Sequence, residues 1–246
     1  MSKISATIIT YNESKNIDRC IDSLLGIVDE IIVIDSFSTD NTVVLCKQKG
    51  ARVIQAKWMG YAETKNFANS QSQYEYVLSI DADEVLSEAL KKSILSIKNN
   101  LLGVYSFNRL TNYCGKWIHY CGWYPDKKIR IFPKNKVKWQ GAFIHEEIIL
   151  LEKINEQFLQ GDLYHYSYYS TQEHYKKIEK YAELSAKQMH LDKKSFAWHQ
   201  PYTSAIGKFL TVYFFRLGFL DGYSGFVIAR ISAYGSYLKY TKLKKI

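Results

Sequence analysis

Three short apolar runs, each predicted to be a strand, end in polar residues in the N-terminal part of the chain. These are Ile4–Ile9 followed by Thr10, Glu30–Ile34 followed by Asp35, and Tyr76–Ile80 followed by Asp81 and Asp83. The segments between the strands have helical spacing of apolar residues. Alternating strands and helices predict a parallel sheet covered on both faces, whose ligands bind beyond the carboxyl ends of the strands. We therefore expect the four polar residues at one edge of the sheet.

The spacing of Asp81 and Asp83 indicates a metal site. Side chains of a strand repeat every second residue, so both carboxylates can point the same way at the strand's end. Mg²⁺ and Mn²⁺ prefer carboxylate oxygens and complete their shell with phosphate oxygens and water, which makes a nucleoside diphosphate a natural ligand. Asp-x-Asp also occurs by chance on solvated loops, so the motif alone leaves that alternative open.

Four blocks in order resemble the family 2 glycosyltransferases, which have the nucleotide-sugar-binding GT-A fold. The blocks are Ile8–Glu13, Ile32–Asp40, Thr64–Asn66 and Asp81–Asp83. This resemblance implies a Rossmann-like, mostly parallel α/β sheet flanked by helices. It also implies an enzyme that transfers a hexose from a nucleotide sugar with a divalent cation.

The resemblance assigns the donor pocket residue by residue. It implies that Thr10, Tyr11 and Glu13 line the nucleotide pocket, that Asp35 accepts a hydrogen bond from the uracil ring, and that Asp81 lies near the ribose.

The same resemblance implies that Asp83, with Asp81 beside it, holds Mg²⁺ or Mn²⁺ on the diphosphate, which Lys65 also contacts. The sequence departs from the family at Ser36, where an aspartate is usual, and at Phe37, where a glycine is usual. A bulky residue restricts backbone torsions that glycine permits, so these departures alter the ribose pocket.

Later segments narrow the subfamily. They are Gly115–Ile118, Gly122–Pro125, Lys128–Phe132, Gly141–Glu147 and Gly218–Gly222. Together with the four blocks they resemble the bacterial lipopolysaccharide core β-1,4-glucosyltransferases. This implies UDP-glucose as the donor and a lipid-linked saccharide, such as the lipopolysaccharide inner core, as the acceptor.

An inverting transfer needs a general base for the acceptor hydroxyl. We expect Glu146 in this role, because it follows a glycine-containing loop where the family places its acidic base; Glu147 is the second choice and Asp126 the third. A glutamate pair is equally typical of a solvated loop. His145 and His165 are left open as metal ligands, orienting groups or packed side chains.

Aromatic and basic residues suggest an acceptor site. Trp117, Trp123 and Tyr124 lie in a glycine-flanked region without a regular pattern, where rings on loops can stack on the apolar faces of sugars. Lys128 and Arg130 alternate along a predicted strand, so both can face the cleft and meet phosphates. Core packing or a solvated surface is the alternative for each of them.

We expect residues 1–168 to form the catalytic domain and residues 169–246 a helical extension. Thr171 to Lys194 is predicted as one amphipathic helix with Thr171 as its N-cap. The last 46 residues contain seven basic residues and one acid, and no apolar run there approaches the roughly 20 residues that a bilayer span requires. Basic residues interleaved with aromatics suggest an anionic membrane surface as a partner, with domain packing, dimerisation or nucleic acid as alternatives. Nucleic acid is the least favoured, because no binding module is present.

Composition sets further bounds. The net charge is +9 over 246 residues. The four cysteines lack paired C-x-x-C spacing, which argues for reduced thiols and against structural zinc. The first strand begins within a few residues of Met1, so we expect a cytoplasmic chain that is peripheral to the inner face of the cell membrane.

Three other functions compete with the glucosyltransferase. A polyprenyl-phosphate glycosyltransferase would use a phosphate as acceptor. A non-catalytic nucleotide-sugar binder would bind UDP-sugar without transfer, and a nucleotidyltransferase would release pyrophosphate from a nucleoside triphosphate.

Overall fold

The structure is a computed structural model that describes residues 2–141, 146–193 and 196–244. The chain forms two compact units, one of Met1–Arg109 with Asp126–His165, the other of Leu110–Pro125 with Tyr166–Ile246. The domain boundary that we predicted between residues 168 and 169 stays a prediction. The units differ from it mainly by assigning Leu110–Pro125 to the second unit, a discontinuous grouping that a reading along the chain does not reveal.

The first unit begins with the predicted alternation of strands and helices. The elements in order are β1 Ile4–Thr10, α1 Ile17–Leu24, β2 Glu30–Asp35, α2 Thr42–Gln48, β3 Arg52–Gln55, α3 Tyr61–Ser70 and β4 Tyr76–Asp81. Helix α1 buries Ile17, Cys20, Ile21 and Leu24, and Gly50, with a φ of +79°, follows the end of α2.

The chain continues mainly through strands and closes with helices. The next elements are β5 Glu84–Leu86, α4 Glu88–Ile97, β6 Val104–Tyr113, β7 Lys116–Ile118, β8 Lys127–Pro133, β9 Val137–Gln140, β10 Glu147–Leu150 and β11 Glu156–Tyr168. They are followed by α5 Thr171–Leu191, α6 Gln200–Leu210, a π-helical turn Thr211–Phe215, a 3-10 turn Gly218–Asp221 and α7 Gly222–Leu243.

The main sheet has the order β3-β2-β1-β4-β8-β6-β11-β5, with β7 paired to β6. Strands β3, β2, β1 and β4 are parallel, whereas β8 pairs antiparallel with both β4 and β6. Strands β9 and β10 form a separate antiparallel pair. The predicted α/β class, with parallel strands and flanking helices, is confirmed, and the parallel part is its N-terminal half.

Buried apolar residues on both faces explain why the parallel strands form. In β1, Ile4, Ala6 and Ile8 are fully buried, and they pack in one cluster with Ile17 and Ile21 of α1. Burying such side chains contributes roughly 1.5–3 kcal/mol each relative to an exposed position. This core fixes the strand ends that carry the polar residues.

Two local predictions in the second unit were wrong. Trp117 lies in the short strand β7, not in irregular structure, and a strand of three residues is too short for an alternation pattern. The N-cap of α5 is Ser170, whose hydroxyl accepts from the Glu173 N–H at 3.2 Å, and not Thr171. The predicted helix end at Lys194 lies outside the described residues.

All four cysteines are free, as predicted. Among the described residues, the longest helices are too polar to serve as a membrane-spanning segment.

Candidate active site

Strand register brings the predicted polar residues to one edge of the parallel strands. Thr10 at the end of β1 is aligned with Asp35 at the end of β2, and Ile9 is aligned with Asp81 at the end of β4. Asp83 follows in the turn between β4 and β5. The carboxyl edge of the first unit is therefore acidic at β2 and β4, the two strands that flank β1.

The carboxylate of Asp81 is held between two cations. Lys65 Nζ lies 2.9 Å from Oδ1, and Arg130 Nη2 lies 3.0 Å from Oδ2. Although burial alone would raise it, these charges hold the pKa of Asp81 well below its usual range. Both oxygens are already engaged, so Asp81 is a weaker metal ligand than we expected.

Asp83 has a neighbour that suits a metal site. Its Oδ2 lies 3.2 Å from His165 Nε2, because β11 pairs with β5 and aligns His165 with Glu84. A carboxylate oxygen and an imidazole nitrogen are both ligands for Mn²⁺, and a carboxylate suits Mg²⁺. Among the residues that the structure describes, no three acidic, histidine or cysteine side chains form a metal cage. The residues present therefore fit a cation that takes its remaining ligands from substrate phosphates and water.

Lys65 connects Asp81 to the predicted base. Its Nζ lies 3.1 Å from Oε1 of Glu146, and its side chain is only 3% exposed. The ammonium also lies 4.4 Å from the centroid of the Trp139 ring, within range of a cation–π interaction. Asn66, the next residue of α3, explains this contact: its amide bonds both the N–H and the carbonyl of Trp139, at 2.9 and 2.8 Å.

The two glutamates differ in their surroundings. Glu146 is half-buried and contacts Lys65, whereas Glu147 begins β10 and is exposed. Of the two glutamates, Glu146 is the one with an ion pair to Lys65. His145 lies outside the described residues.

Asp126, the third candidate base, is engaged elsewhere in the first unit. Arg109 Nη2 lies 2.8 Å from one of its oxygens and Lys128 Nζ 2.8 Å from the other. Burial opposes the effect, but these cations hold the pKa of Asp126 below its ordinary value. Lys128, which we predicted to contact the acceptor, is ion-paired with Asp126.

Arg130 occupies a different position from the predicted acceptor contact. The residue is buried, and its guanidinium lies 2.7 Å from Glu84 as well as 3.0 Å from Asp81. Glu84 is fully buried and also accepts from the Asp81 N–H at 3.0 Å and from Arg109 at 3.4 Å. Arg130 and Glu84 therefore position Asp81 from beneath the edge.

Two residues that we predicted to bind the donor, Thr10 and Asp35, lie where β1 and β2 end. Asp35 is fully buried and accepts from the Ser38 hydroxyl at 2.5 Å, the Ser38 N–H at 3.0 Å and Gln55 at 3.3 Å. A hydrogen bond from the uracil ring to Asp35 would require the turn between Asp35 and Ser38 to open. Thr10 is also buried, and its hydroxyl has no hydrogen-bond partner among the described residues.

Tyr11 and Glu13 flank the same edge. Tyr11 is exposed. Burial raises the pKa of Glu13, and the nearby charges of Asp83 and Asp40 raise it further. A hydrogen bond from Asn16 lowers the pKa of Glu13 and so opposes them. Glu13 is thus close enough to sense the charge of Asp83.

Phe37 adopts the left-handed conformation that the usual glycine would adopt freely, with a φ of +61°. A bulky residue there costs about 1–2 kcal/mol. The turn is fixed by Asn12, whose side chain accepts from the Thr39 N–H at 2.8 Å and whose N–H donates to Ser38 Oγ at 2.8 Å.

The three aromatic residues predicted for the acceptor lie in the second unit and contact other rings of that unit. Trp117 is 5.4 Å from the Tyr166 ring and Tyr124 is 5.7 Å from His119. Trp123 stacks on Tyr168 at 5.7 Å and packs against the core of its unit. For Trp123 the packing alternative describes the observed contacts.

Sequence reasoning missed four residues near the carboxylates: Tyr61, Glu84, Arg109 and Trp139. Burial raises the pKa of Tyr61, and so do the charges of Glu146, Asp81, Asp83 and Glu13. Tyr61 lies four residues before Lys65 on α3, one helical turn away, and that spacing was a usable signal. No signal in the sequence indicated that Arg109 points inward or that Trp139 contacts Lys65.

Comparison with known proteins places this geometry in a family. The family model "Glycosyl transferase family 2" matches residues 5–150. A glycosyltransferase from Rickettsia typhi is 34% identical over an alignment of 259 positions, which covers all of this chain and 88% of the relative. The lipopolysaccharide core biosynthesis glycosyltransferase LpsC from Rhizobium meliloti is 28% identical, covering 98% of this chain and 91% of the relative.

One solved structure is glucosyl-3-phosphoglycerate synthase from Mycobacterium tuberculosis in complex with Mn²⁺ and UDP-glucose. It is 26% identical, with a TM-score of 0.38, and covers 45% of this chain and 44% of that chain. A similarity of this size supports no conclusion about substrate or cofactor. The family match over residues 5–150 and the relatives over nearly the full length show that the chain belongs to glycosyl transferase family 2.

Proposed function

We propose that this glycosyltransferase is an inverting enzyme that moves a hexose, which we take to be glucose, from a UDP-sugar to a saccharide carried on lipid, such as the lipopolysaccharide inner core. The observation that carries the proposal is Lys65, a buried cation that joins Asp81 to Glu146 beside the Asp83–His165 pair. The similarity to LpsC supports the choice of acceptor.

The donor binds at the carboxyl edge of the parallel strands. Thr10, Tyr11 and Glu13 line the nucleotide pocket, with Asp35 fixing the turn beside it and Asp81 near the ribose. The buried hydroxyl of Thr10, without a partner among the described residues, offers a hydrogen bond to the nucleotide.

The chemistry requires one proton transfer and one displacement at the anomeric carbon. Glu146 takes the proton from the acceptor hydroxyl while that oxygen forms the new bond to the anomeric carbon. The bond from this carbon to the diphosphate oxygen breaks on the opposite face, and its electron pair leaves with UDP. The configuration is therefore inverted.

Lys65 has a second task in this scheme. Its ammonium has three donors and already binds two carboxylates, and a diphosphate arriving at the same edge is a stronger partner for it. Transfer of one Lys65 hydrogen bond from Glu146 to the diphosphate leaves the Glu146 carboxylate available as a base.

Asp83 and His165 are the residues that would hold Mg²⁺ or Mn²⁺. The cation supplies charge neutralisation on the departing diphosphate. In the chain itself, the Lys65 ammonium adds positive charge at this edge.

A lipid-linked acceptor would place the enzyme at the inner face of the cell membrane. Residues 196–244 contain six cations, namely Lys208, Arg216, Arg230, Lys239, Lys242 and Lys244, and one acid. That acid, Asp221, is buried and accepts from the His119 and Tyr120 N–H groups. Phe215, Leu220 and Tyr223 are exposed within the same stretch, a combination suited to an anionic lipid surface.

A donor and acceptor screen tests the proposed function. UDP-glucose, UDP-galactose and other nucleotide sugars are incubated with purified core oligosaccharide, with lipopolysaccharide or with polyprenyl phosphate, and UDP release and product mass are measured. Glucose transfer to the core saccharide supports the proposal. Transfer to polyprenyl phosphate alone, UDP-sugar binding without transfer, or pyrophosphate release from a nucleoside triphosphate would each replace it with the matching alternative.

We predict that Asp83→Ala abolishes the metal-dependent part of UDP-sugar binding, because it removes the carboxylate that fits the cation. Calorimetry with and without Mn²⁺ measures this. His165→Ala should weaken the metal-dependent part of UDP-sugar binding less, since the Asp83 carboxylate remains. Asp22→Ala, at an exposed surface pair with Lys49, is the control. Unchanged Mn²⁺-dependent affinity in Asp83→Ala would contradict the metal assignment.

A further inference from the structure

Two half-exposed aromatic rings lie at the carboxyl edge of the parallel strands. Trp58 and Tyr61 are 49% and 47% exposed, and their ring centroids lie 4.7 Å apart at an interplanar angle of 88°. Trp58 follows β3 by three residues, and Gln55 at the end of β3 is aligned with Asp35. The pair therefore belongs to the edge that carries the carboxylates.

Tyr61 is linked to the catalytic groups through its helix. It is the first residue of α3, and Lys65 lies four residues later on the same helical face. Lys65 bonds Asp81 and Glu146, so the Tyr61 ring lies one turn from the cation that joins them. The charges of these carboxylates also act on the Tyr61 hydroxyl.

The backbone that carries the two rings is held in place although the rings are exposed. The Met59 N–H donates to the Thr64 hydroxyl at 3.3 Å, and the Thr64 N–H donates to the Gly60 carbonyl at 3.0 Å. Gly60 has a φ of +96°, which a side chain would resist. The backbone positions of both rings are thus defined before a ligand binds, so less backbone has to be ordered on binding.

We propose that Trp58 and Tyr61 form a stacking site for a pyranose ring at the reaction centre, either the hexose of the donor or the sugar of the acceptor. The inference rests on the proposed function. Pyranoses present apolar C–H faces that pack on an aromatic face, and a perpendicular second ring closes one side of that site. The Glu146 base, which must reach the acceptor hydroxyl, is ion-paired with Lys65 of the helix that carries Tyr61.

The test compares Trp58→Ala and Tyr61→Ala with Phe158→Ala, which removes an equally exposed aromatic from β11 of the same unit. Trp58→Phe keeps a ring and guards against loss of folding, which thermal melting checks. Calorimetry measures binding of UDP and of UDP-glucose, and kinetics give the KM of the acceptor. We expect a three- to tenfold loss, about the size of one aromatic contact, in one of two places.

A weaker preference for UDP-glucose over UDP places the donor hexose on the rings, and a higher acceptor KM with unchanged kcat places the acceptor sugar there. Trp58→Phe, which keeps a ring, should stay close to the unaltered chain in both quantities. An equal loss for UDP alone, or values that match Phe158→Ala throughout, overturns the stacking site. Absence of transfer in the unaltered chain would count against the proposed function, whereas the comparison of UDP with UDP-glucose would still decide the donor arm.

Discussion

The carboxylate of Glu146 and the ammonium of Lys65 define the chemistry at the residue scale. Their distance of 3.1 Å puts the proposed base in contact with the cation that also holds Asp81. In the proposed scheme the Glu146 carboxylate becomes free to take a proton when the diphosphate takes over its hydrogen bond from Lys65. In the proposed function, Lys65 therefore positions the base and also contacts the phosphates.

Glu146→Gln is expected to keep donor affinity and to lower kcat by about two to four orders of magnitude, as loss of a general base does. Steady-state kinetics with calorimetry for UDP-glucose measure both quantities. The matched control is Glu147→Gln, one residue away and exposed, which should turn over normally. The reverse pattern, a normal Glu146→Gln and an inactive Glu147→Gln, would exchange the roles of the two glutamates.

The sequence predicted which polar residues lie at the strand ends but not their partners. Asp81, Asp83 and Thr10 follow from the alternation of strands and helices, which fixes where each strand stops. Arg130 was expected to face an acceptor, whereas it is buried beneath Asp81. Its direction depends on the register between β8 and β4, which are separated by about fifty residues, and a side-chain pattern with period two does not fix that register.

At the scale of elements, Glu84 ties four strands together. It lies on β5 and meets Arg130 of β8, Arg109 of β6 and the Asp81 N–H at the end of β4. Removal of this fully buried carboxylate alone is costly, because Arg130 and Arg109 each lose one carboxylate partner while Arg130 stays buried.

We expect Glu84→Ala to lower the free energy of unfolding by about 3–5 kcal/mol. Urea denaturation followed by circular dichroism measures the change. Glu88→Ala is the control, since its pair with Lys91 is solvent-exposed and its loss should leave the midpoint nearly unchanged. A similar midpoint for the two variants would contradict a stabilising role of the buried network.

His174 makes the stability of the second unit depend on pH. The residue is buried on α5, with Nδ1 3.1 Å from the Tyr113 hydroxyl, and burial lowers its pKa from 6.5 to about 4, with Lys177 nearby adding to the effect. The unfolded chain therefore binds a proton that the folded chain does not between these pH values. This contribution to stability is complete above pH 6.5 and is lost as the pH falls towards 4.

The slope expected from His174 is up to about 1.4 kcal/mol per pH unit within that window. Unfolding curves from pH 4 to 7 measure it, and His174→Gln should flatten the dependence even where it lowers overall stability. His190→Gln, on the exposed side of the same helix, should leave the slope as it is. An unchanged slope in His174→Gln would show that another group titrates.

Element boundaries followed from composition where the elements were long and apolar. Strands β1, β2 and β4 were located to within one residue, because each is buried on both faces. The short strand β7 was missed because three residues are too few to show an alternation pattern. The Ser170 cap was missed because serine and threonine are both favoured at helix N-caps and stand next to each other here.

At the scale of the whole molecule, a net charge of +9 combines with exposed apolar residues in the second unit. We expect the chain to bind vesicles of phosphatidylcholine with phosphatidylglycerol, to release them at high salt, and to ignore phosphatidylcholine alone. The Phe215→Ser/Leu220→Ser double variant should bind about tenfold or more weakly, because two apolar side chains no longer enter the lipid. Sedimentation with vesicles measures both results.

Leu102→Ser/Leu151→Ser is the matched control, with two comparably exposed leucines in the first unit. Equal vesicle binding by the two double variants would contradict a lipid contact at Phe215 and Leu220. A fall in oligomeric mass for Phe215→Ser/Leu220→Ser, without vesicle binding by the unaltered chain, would assign these residues to a dimer contact instead.

The Asp221 carboxylate also limits how the protein can be dissected. It accepts from the backbone of His119 and Tyr120, and the Arg216 carbonyl accepts from the Cys121 N–H at 2.9 Å. A fragment that stops before residue 216 would leave those amide groups without acceptors in the middle of the polypeptide. Production of the first unit by itself therefore requires removal of residues 110–125 and a short linker from Arg109 to Asp126, because the chain leaves that unit and returns to it.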